Sequence, residues 1–273
     1  MNAIQCSSQT HAGHLRQRNE DYMITDADSG IFMLADGMGG HRSGDFASKM
    51  ACESVMHRLH KSLPSLSPDE FDPELGYTRA SLLLRQALLE ANEKILQEAD
   101  SNPEHAGMGT TIVVAWFYRD QLTIAHVGDS RLYRLRQGRL EQLTSDHTIR
   151  QELIDRGYYD KEQAETLVQR NLVTRALGAD RSVAIDIQET MTLPGDLYLL
   201  CSDGLYDMVE EQTILHIMNR CYDLTSCVET LTKTALGNGG KDNVSVICIR
   251  STPSTQEASR DGWKKRIKRL LRL

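Results

Sequence analysis

No stretch of this chain approaches the roughly 18 consecutive apolar residues of a membrane-spanning helix, so none is expected. The N-terminal segment MNAIQCSSQTHAGHLRQRNED lacks the apolar core of a secretory signal, and none is expected there either. Cysteine is sparse and unpatterned: Cys6, Cys52, Cys201, Cys221, Cys227 and Cys248 include no C-x-x-C pair. That spacing argues against a zinc site and a disulfide framework, and it fits a reducing, cytoplasmic setting. Cys201 and Cys248 sit in apolar runs and read as small core residues. No repeat of fixed period is present.

What is there is an ordinary globular composition, 40% apolar and 25% charged over 273 residues, enough for one large domain or two small ones. The charge is uneven. The last 14 residues, RDGWKKRIKRLLRL, hold seven Lys/Arg and one Asp and so carry +6. Against −7 for the whole chain, the first 259 residues carry −13. An acidic body argues against nucleic acid as its partner. In the tail, Trp263, Ile267, Leu270 and Leu271 fall at i, i+4, i+7 and i+8, one face of a helix with basic residues around it. Such a segment, residues 260–273, suits an anionic membrane surface or an acidic partner. The expected division is a domain over 1–252 and a linker with basic tail over 253–273.

Along the body, DYMIT and IFMLA read as strands separated by the turn DADSG. The D-x-D pair Asp26 and Asp28 therefore belongs to a hairpin turn. FASKMACESVMHRLHKSL has helical periodicity through Phe46, Met50, Val55 and Leu59. A surface loop, PSLSPDEFDPELGY, leads to a second helix from Thr78 to about Ala99, with Leu82, Leu83, Leu88, Ile95 and Leu96 on its buried side. Residues 110–143 read as one antiparallel meander. A helix ending at Gly157, a polar irregular stretch over 158–180, the strand LYLLC, a helical stretch over about 209–236 and the strand VSVICIR follow. Strands and helices are segregated, which argues for an α+β fold with helices outside sheets.

Acids recur where strands meet turns. Asp36 follows IFMLA, Asp129 follows LTIAHV, Asp203 follows LYLLC and Asp242 precedes VSVICIR, each with Gly within three residues. Glu20 and Asp21 precede DYMIT. One such Asp is a turn former. Four beside apolar strands suggest convergence on one rim, where carboxylates would repel one another unless cations stand among them. Oxygen ligands without a His/Cys pattern favour Mg2+ or Mn2+ over Zn2+. Two such ions can lower the pKa of a shared water and clamp a phosphoryl oxygen.

In this order the blocks GHLRQRNED, ADGMGGH, GMGTT, HVGDSR, LTSDH, TRALG, SDGLYD and GGKDNV resemble the metal-dependent type 2C Ser/Thr protein phosphatases, bacterial branch, over roughly residues 10–250. The resemblance implies a four-layer α-β-β-α sandwich of two antiparallel sheets flanked by helices, with a variable flap over about 148–175. It implies two catalytic Mn2+ or Mg2+ ions and a third. Asp36 would bridge the pair, the Gly37 carbonyl would add an oxygen, Asp203 and Asp242 would complete one site, and Glu20 would reach the other with Asp21 nearby. Asp129 with Asp203 would supply the third. Arg16 matches the arginine that holds the substrate phosphate. The implied reaction is direct attack of metal-bridged water on phosphoserine or phosphothreonine, without a phosphoenzyme, opposing a Ser/Thr kinase. The His that follows Asp-Gly in animal members is Met38 here, which leaves His41 as the candidate general acid. His126 reads as structural, Asp146 and His147 as structural or as supports behind the metal ligands, Asp207 as a helix cap or a support for the third ion, and Arg18 and Arg42 as solvated surface arginines. The competing functions are a catalytically inactive phosphoprotein-binding module, which retention of all four aspartates argues against, and a hydrolase of small phosphoesters.

Overall fold

The computed structural model describes residues 3–39, 43–169 and 172–252. His41, Arg42 and the basic tail lie outside the described residues. The chain runs β1 (Ala3–His11), β2 (Asp21–Asp26), β3 (Ile31–Met38), α1 (Gly44–Ser62), the small hairpin β4 (Phe71–Asp72) and β5 (Tyr77–Thr78), and α2 (Arg79–Ser101). It continues through β6 (Gly109–Thr110), β7 (Ile112–Tyr118), β8 (Gln121–Val127), β9 (Arg131–Arg136), β10 (Arg139–Gln142), α3 (Ile149–Asp155) and α4 (Lys161–Leu167). It closes with β11 (Asp186–Met191), β12 (Leu197–Cys201), α5 (Asp203–Tyr206), α6 (Glu211–Arg220), α7 (Leu224–Gly237) and β13 (Val244–Thr252).

Two antiparallel sheets result, one ordered β1-β13-β12-β9-β10 and the other β11-β8-β7-β3-β2, with β6 also paired to β3. The period of two in β3 shows how they stack. Ile31, Met33 and Ala35 face α1 and α2, while Phe32 and Leu34 face the other sheet, where they meet Tyr198, Leu200, Ile247 and Ile249. A strand buried on both faces reads as a continuous apolar run, as IFMLA does. Helices α6 and α7 cover the outer face of the first sheet through Ile214, Met218, Cys227 and Leu231. The fold is the expected α+β sandwich of two antiparallel sheets with helices on both outer faces. No helix among the described residues is long and apolar enough to cross a membrane.

Three local expectations change. Residues 110–143 are not one meander: β7 and β8 pair in one sheet, β9 and β10 in the other. The chain crosses between sheets at Gly128–Asp129–Ser130, and the alternating pattern of a strand does not encode which sheet the next strand joins. Phe46 is exposed and stacks on the His105 ring at 4.4 Å. Helix α1 instead approaches the sheet through Gly44, Ala47, Ser48 and Ala51, whose small side chains permit a close crossing, with Val55 and Leu59 farther along. Within the stretch read as irregular, α4 forms on a capping box in which Asp160 and Gln163 satisfy each other's backbone N–H groups.

Candidate metal centre

The acids converge because the strand ends do. Asp21 opens β2 and lies directly opposite Asp36 in the β2–β3 ladder. Thr111 holds Asp36 at both backbone groups: its Oγ1 accepts the Asp36 N–H at 3.0 Å and its N–H donates to the Asp36 carbonyl at 2.9 Å. Asp203 begins α5 at the end of β12. Asp242 precedes β13, and Arg16 donates to its Oδ2 at 2.7 Å across 226 residues of sequence. Asn243 ties the 12–20 segment to this rim. Its Oδ1 accepts the Glu20 N–H at 2.7 Å, and its Nδ2 donates to the carbonyls of Ala12 at 2.9 Å and Arg18 at 2.8 Å.

Burial and like charge push these carboxyls up. Asp36 is held well above the usual carboxylate range by burial first and then by Asp21, Asp203, Asp129 and Asp242. Asp203 is raised likewise, by burial and then Asp129 and Asp242. Burial carries Asp21 to about 6 even though Ser202 Oγ donates to its Oδ2 at 2.8 Å. Asp129 also reaches about 6, from burial and then Asp146. Burial raises Glu20 as well.

Two observations show that a divalent cation fits here. The Oδ1 atoms of Asp21 and Asp203 are buried without a hydrogen-bond partner, which is costly unless a cation meets them. In addition, a Cβ on Gly44 would stand 2.6 Å from Glu20 Oε1 and 2.9 Å from the Gly37 carbonyl oxygen, so the missing side chain leaves room where two hard oxygens meet.

Residues 7–238 match the profile of the protein phosphatase 2C family. The chain belongs to that family. Among its relatives is the serine/threonine phosphatase Stp of Listeria welshimeri, 35% identical over 243 residues that cover 88% of this chain and 93% of the relative. The serine/threonine protein phosphatase PstP of Mycobacterium tuberculosis is 35% identical over 248 residues, 89% of this chain and 44% of the longer relative. A solved structure of the M. tuberculosis PstP/Ppp phosphatase superposes with a TM-score of 0.81 at 33% identity, covering 91% of this chain and 99% of that one. A PstP catalytic domain solved with two manganese ions gives 0.77 at 32% identity, covering 91% of this chain and 98% of that one.

In this phosphatase the rim brings together Arg16, Glu20, Asp36, Gly37, Asp129, Asp203 and Asp242, while His41 falls outside the described residues. Asp21, expected near this rim, lies there because the β2–β3 register puts the first residue of β2 opposite Asp36. Thr111 and Asn243 were missed, because their contribution is hydrogen bonding to backbone groups that only the fold brings near. Beside Asp129, Tyr206 donates to the Asp129 carbonyl at 3.0 Å and Oδ2 at 3.1 Å. The Arg131 guanidinium lies 3.5 Å over the Tyr206 ring and grips Asp146. These residues floor a cavity of about 730 Å3 between the α3–α4 excursion and α6, with Arg150 and Glu211 among its walls. That excursion leaves at Thr148 and returns at Val173, where the two residues bridge.

The turn read at Asp26 is present: Asp26 Oδ1 accepts the Ser29 N–H at 3.1 Å. His126, His147 and Asp186 also cluster, with ligand-type atoms within 4.8 Å of one another. A neutral imidazole has one acceptor nitrogen, and His147 uses it, Nδ1, for the Gly128 N–H at 3.1 Å. Its Nε2 stands 3.2 Å from Arg175 Nη1 and 3.3 Å from Asp186 Oδ2, and that Nη1 lies 3.1 Å from Asp186 Oδ1. This cluster is a hydrogen-bonded unit with its own guanidinium.

Gly37 is irreplaceable on steric grounds. A Cβ there would stand 1.9 Å from the Gly44 carbonyl oxygen and 2.8 Å from that of Glu20, both backbone atoms. Gly37→Ala is expected to lower stability by about 3 kcal/mol or more, the upper end of overpacking costs. Urea unfolding in EDTA measures it, and an unchanged midpoint would contradict the close contact.

Proposed function

We propose that this phosphatase hydrolyses phosphoserine and phosphothreonine in proteins at the rim formed by Asp36, Asp203 and Asp242, with Mn2+ or Mg2+ bound there. The observation that carries the reading is the set of buried, mutually repelling carboxylates with unpartnered oxygens, on a chain of the protein phosphatase 2C family. The two manganese ions of the similar PstP domain support the choice of metal.

Asp36, the Gly37 carbonyl, Glu20, Asp203 and Asp242 would hold two ions, and Asp129 with Asp203 would hold a third. Such ions supply Lewis acidity and make water nucleophilic near neutral pH. The chain's own residues do the rest. Arg16 is half exposed at the mouth and its guanidinium can hold two phosphoryl oxygens in one plane. Its present partner Asp242 keeps it aimed at the site. Thr111 and Asn243 hold Asp36 and Glu20 by their backbones, so these carboxylates need little reorganisation when substrate arrives. The water oxygen bonds to phosphorus as the P–O bond to the Ser or Thr oxygen breaks. His41 would give that oxygen its proton, a task suited to a group that titrates near neutrality. The cavity beside Asp129 would take the peptide flanking the phosphoresidue.

Residues 1–252 would form the phosphatase domain, with residues 148–175 as its flap and 253–273 as a separate basic tail. An anionic membrane face or an acidic partner is the reading for the tail, and opposition to a Ser/Thr kinase in the cytoplasm is the reading for the whole. The six unpaired cysteines suit a reducing compartment.

Phosphate release from a phosphothreonine peptide, with Mn2+, with Mg2+ and with EDTA, tests the proposal. Release is expected with either metal and is lost in EDTA. Arg16→Ala is expected to raise KM by about tenfold or more, the worth of a charge-assisted bond. His41→Ala is expected to lower kcat, most for a poor leaving group. No release from folded, metal-loaded protein would overturn the enzyme reading and favour the inactive binding module.

A further inference from the structure

His147 grips Gly128 at both backbone groups. Its Nδ1 accepts the Gly128 N–H at 3.1 Å, and its own N–H donates to the Gly128 carbonyl at 3.0 Å. Gly128 has φ +101°, a conformation L side chains rarely adopt, and a Cβ there would stand 2.6 Å from Thr111. The turn is therefore clamped from two sides. Thr111, the residue that holds Asp36, packs under Gly128 and bonds the Ser130 hydroxyl at 2.7 Å. His147 closes the other side, and the residue between Gly128 and Ser130 is Asp129.

The same histidine faces the base of the α3–α4 excursion. Its carbonyl accepts the Thr174 N–H at 2.8 Å, where the excursion returns. Its Nε2 lies 3.2 Å from Arg175 Nη1 and 3.3 Å from Asp186 Oδ2, and Asp186 in turn holds Arg175 at 3.1 Å. The His126 ring stacks on it at 4.7 Å, with His126 Nε2 2.8 Å from the Ser145 carbonyl oxygen, so the imidazole has no freedom to turn. His147 is buried, and its side chain touches both the turn before Asp129 and the first residue of β11.

We propose that His147 is a positioning residue for Asp129: through its Nδ1 it fixes the Gly128 turn that aims the Asp129 carboxylate at the metal rim, and through its Nε2 edge it links that turn to the Asp186–Arg175 pair at the excursion's base. The inference rests on Asp129 being a metal ligand, as proposed above. It assigns to the two ring nitrogens two separable tasks.

The two tasks can be separated by substitution. His147→Asn puts a side-chain oxygen close to where Nδ1 lies and keeps an acceptor for Gly128. His147→Gln puts its polar group near the position of Nε2 and leaves the Gly128 N–H bare. Mn2+ binding to the full chain is measured by calorimetry for wild type, His147→Asn, His147→Gln and Asp129→Asn, alongside thermal unfolding and phosphothreonine-peptide hydrolysis. Asp129→Asn is expected to weaken the lowest-affinity Mn2+ site by tenfold or more. His147→Gln should reproduce that loss with the tighter sites intact, and His147→Asn should restore the site to within about threefold of wild type. Loss of the site in Asp129→Asn but not in His147→Gln overturns the inference and leaves the metal reading standing. Equal loss in the Asn and Gln variants also overturns it, since His147 would then be only a packing residue. Wild-type Mn2+ binding in all variants overturns both the inference and the assignment of Asp129. If His147→Gln does not fold, Asp186→Asn supplies the second arm. It spares the Gly128 contact and should leave Mn2+ binding within about threefold of wild type, and a tenfold loss there overturns the separation of tasks.

Discussion

Replacing Asp36 by Asn is expected to remove activity and to stabilise the metal-free protein at the same time. The activity loss should be at least about 100-fold, since even a partner in the outer coordination shell is worth about 10–100-fold. The stability gain has the opposite sign because Asp36 in the metal-free chain is a buried carboxyl facing Asp21 across the ladder, with Asp203, Asp129 and Asp242 near. An amide of the same shape removes that repulsion. The gain grows as pH rises and the wild-type carboxyl is forced to ionise. Thermal unfolding in EDTA at pH 8 should show the variant melting above wild type, and adding Mn2+ should reverse the order. Equal melting in EDTA would mean that the acid cluster carries little charge strain. Retained activity would remove Asp36 from the centre.

Metal binding at pH 6 should expel at least about one proton per chain, fewer as pH rises. Asp21 and Asp129 titrate at about 6 in the folded chain, and Asp36 and Asp203 are raised in the same direction. A cation must displace those protons. Calorimetric titration of Mn2+ in buffers of different ionisation enthalpy counts them, and a count of zero at pH 6 would contradict the raised carboxyls.

Stability follows the same linkage. A carboxyl whose folded pKa lies above its unfolded value of about 3.9 holds its proton more tightly when folded, so stability falls as pH rises from about 4 through about 6. For Asp21 and Asp129 the penalty is fully present above pH 6, at roughly 3 kcal/mol each as an upper estimate. His147 works the other way. Burial, and then His126, pushes it down to about 4, so its contribution is present above about 6.5 and lost as pH falls toward 4. The two trends offset each other between about pH 4 and 6.5. Asp36 and Asp203 are raised in the same direction, so their ionisation also lowers metal-free stability as pH rises, and Mn2+ should restore it.

The sequence by itself determined the layer each apolar run occupies and the order of the acid-bearing blocks. IFMLA is apolar at every position because both of its faces are covered, and the acids stand beside apolar runs because strands end at the rim of a sandwich. Capping and turn chemistry are equally local, as at Thr148, Asp160 and the Asp26 turn. Tertiary structure alone decided what those local signals meet. The β2–β3 register sets Asp21 against Asp36, and the crossing from β8 to β9 puts Asp129 between sheets. Arg16 reaches Asp242 only after the whole chain has closed. The close packing of Gly44 and Ala47 leaves Phe46 outside, although its periodicity pointed inward. The physical reason is common to these cases. Hydrophobic periodicity records which face of an element is buried, whereas strand register, sheet membership and side-chain bonds to distant backbone depend on pairings between segments that the local pattern does not encode.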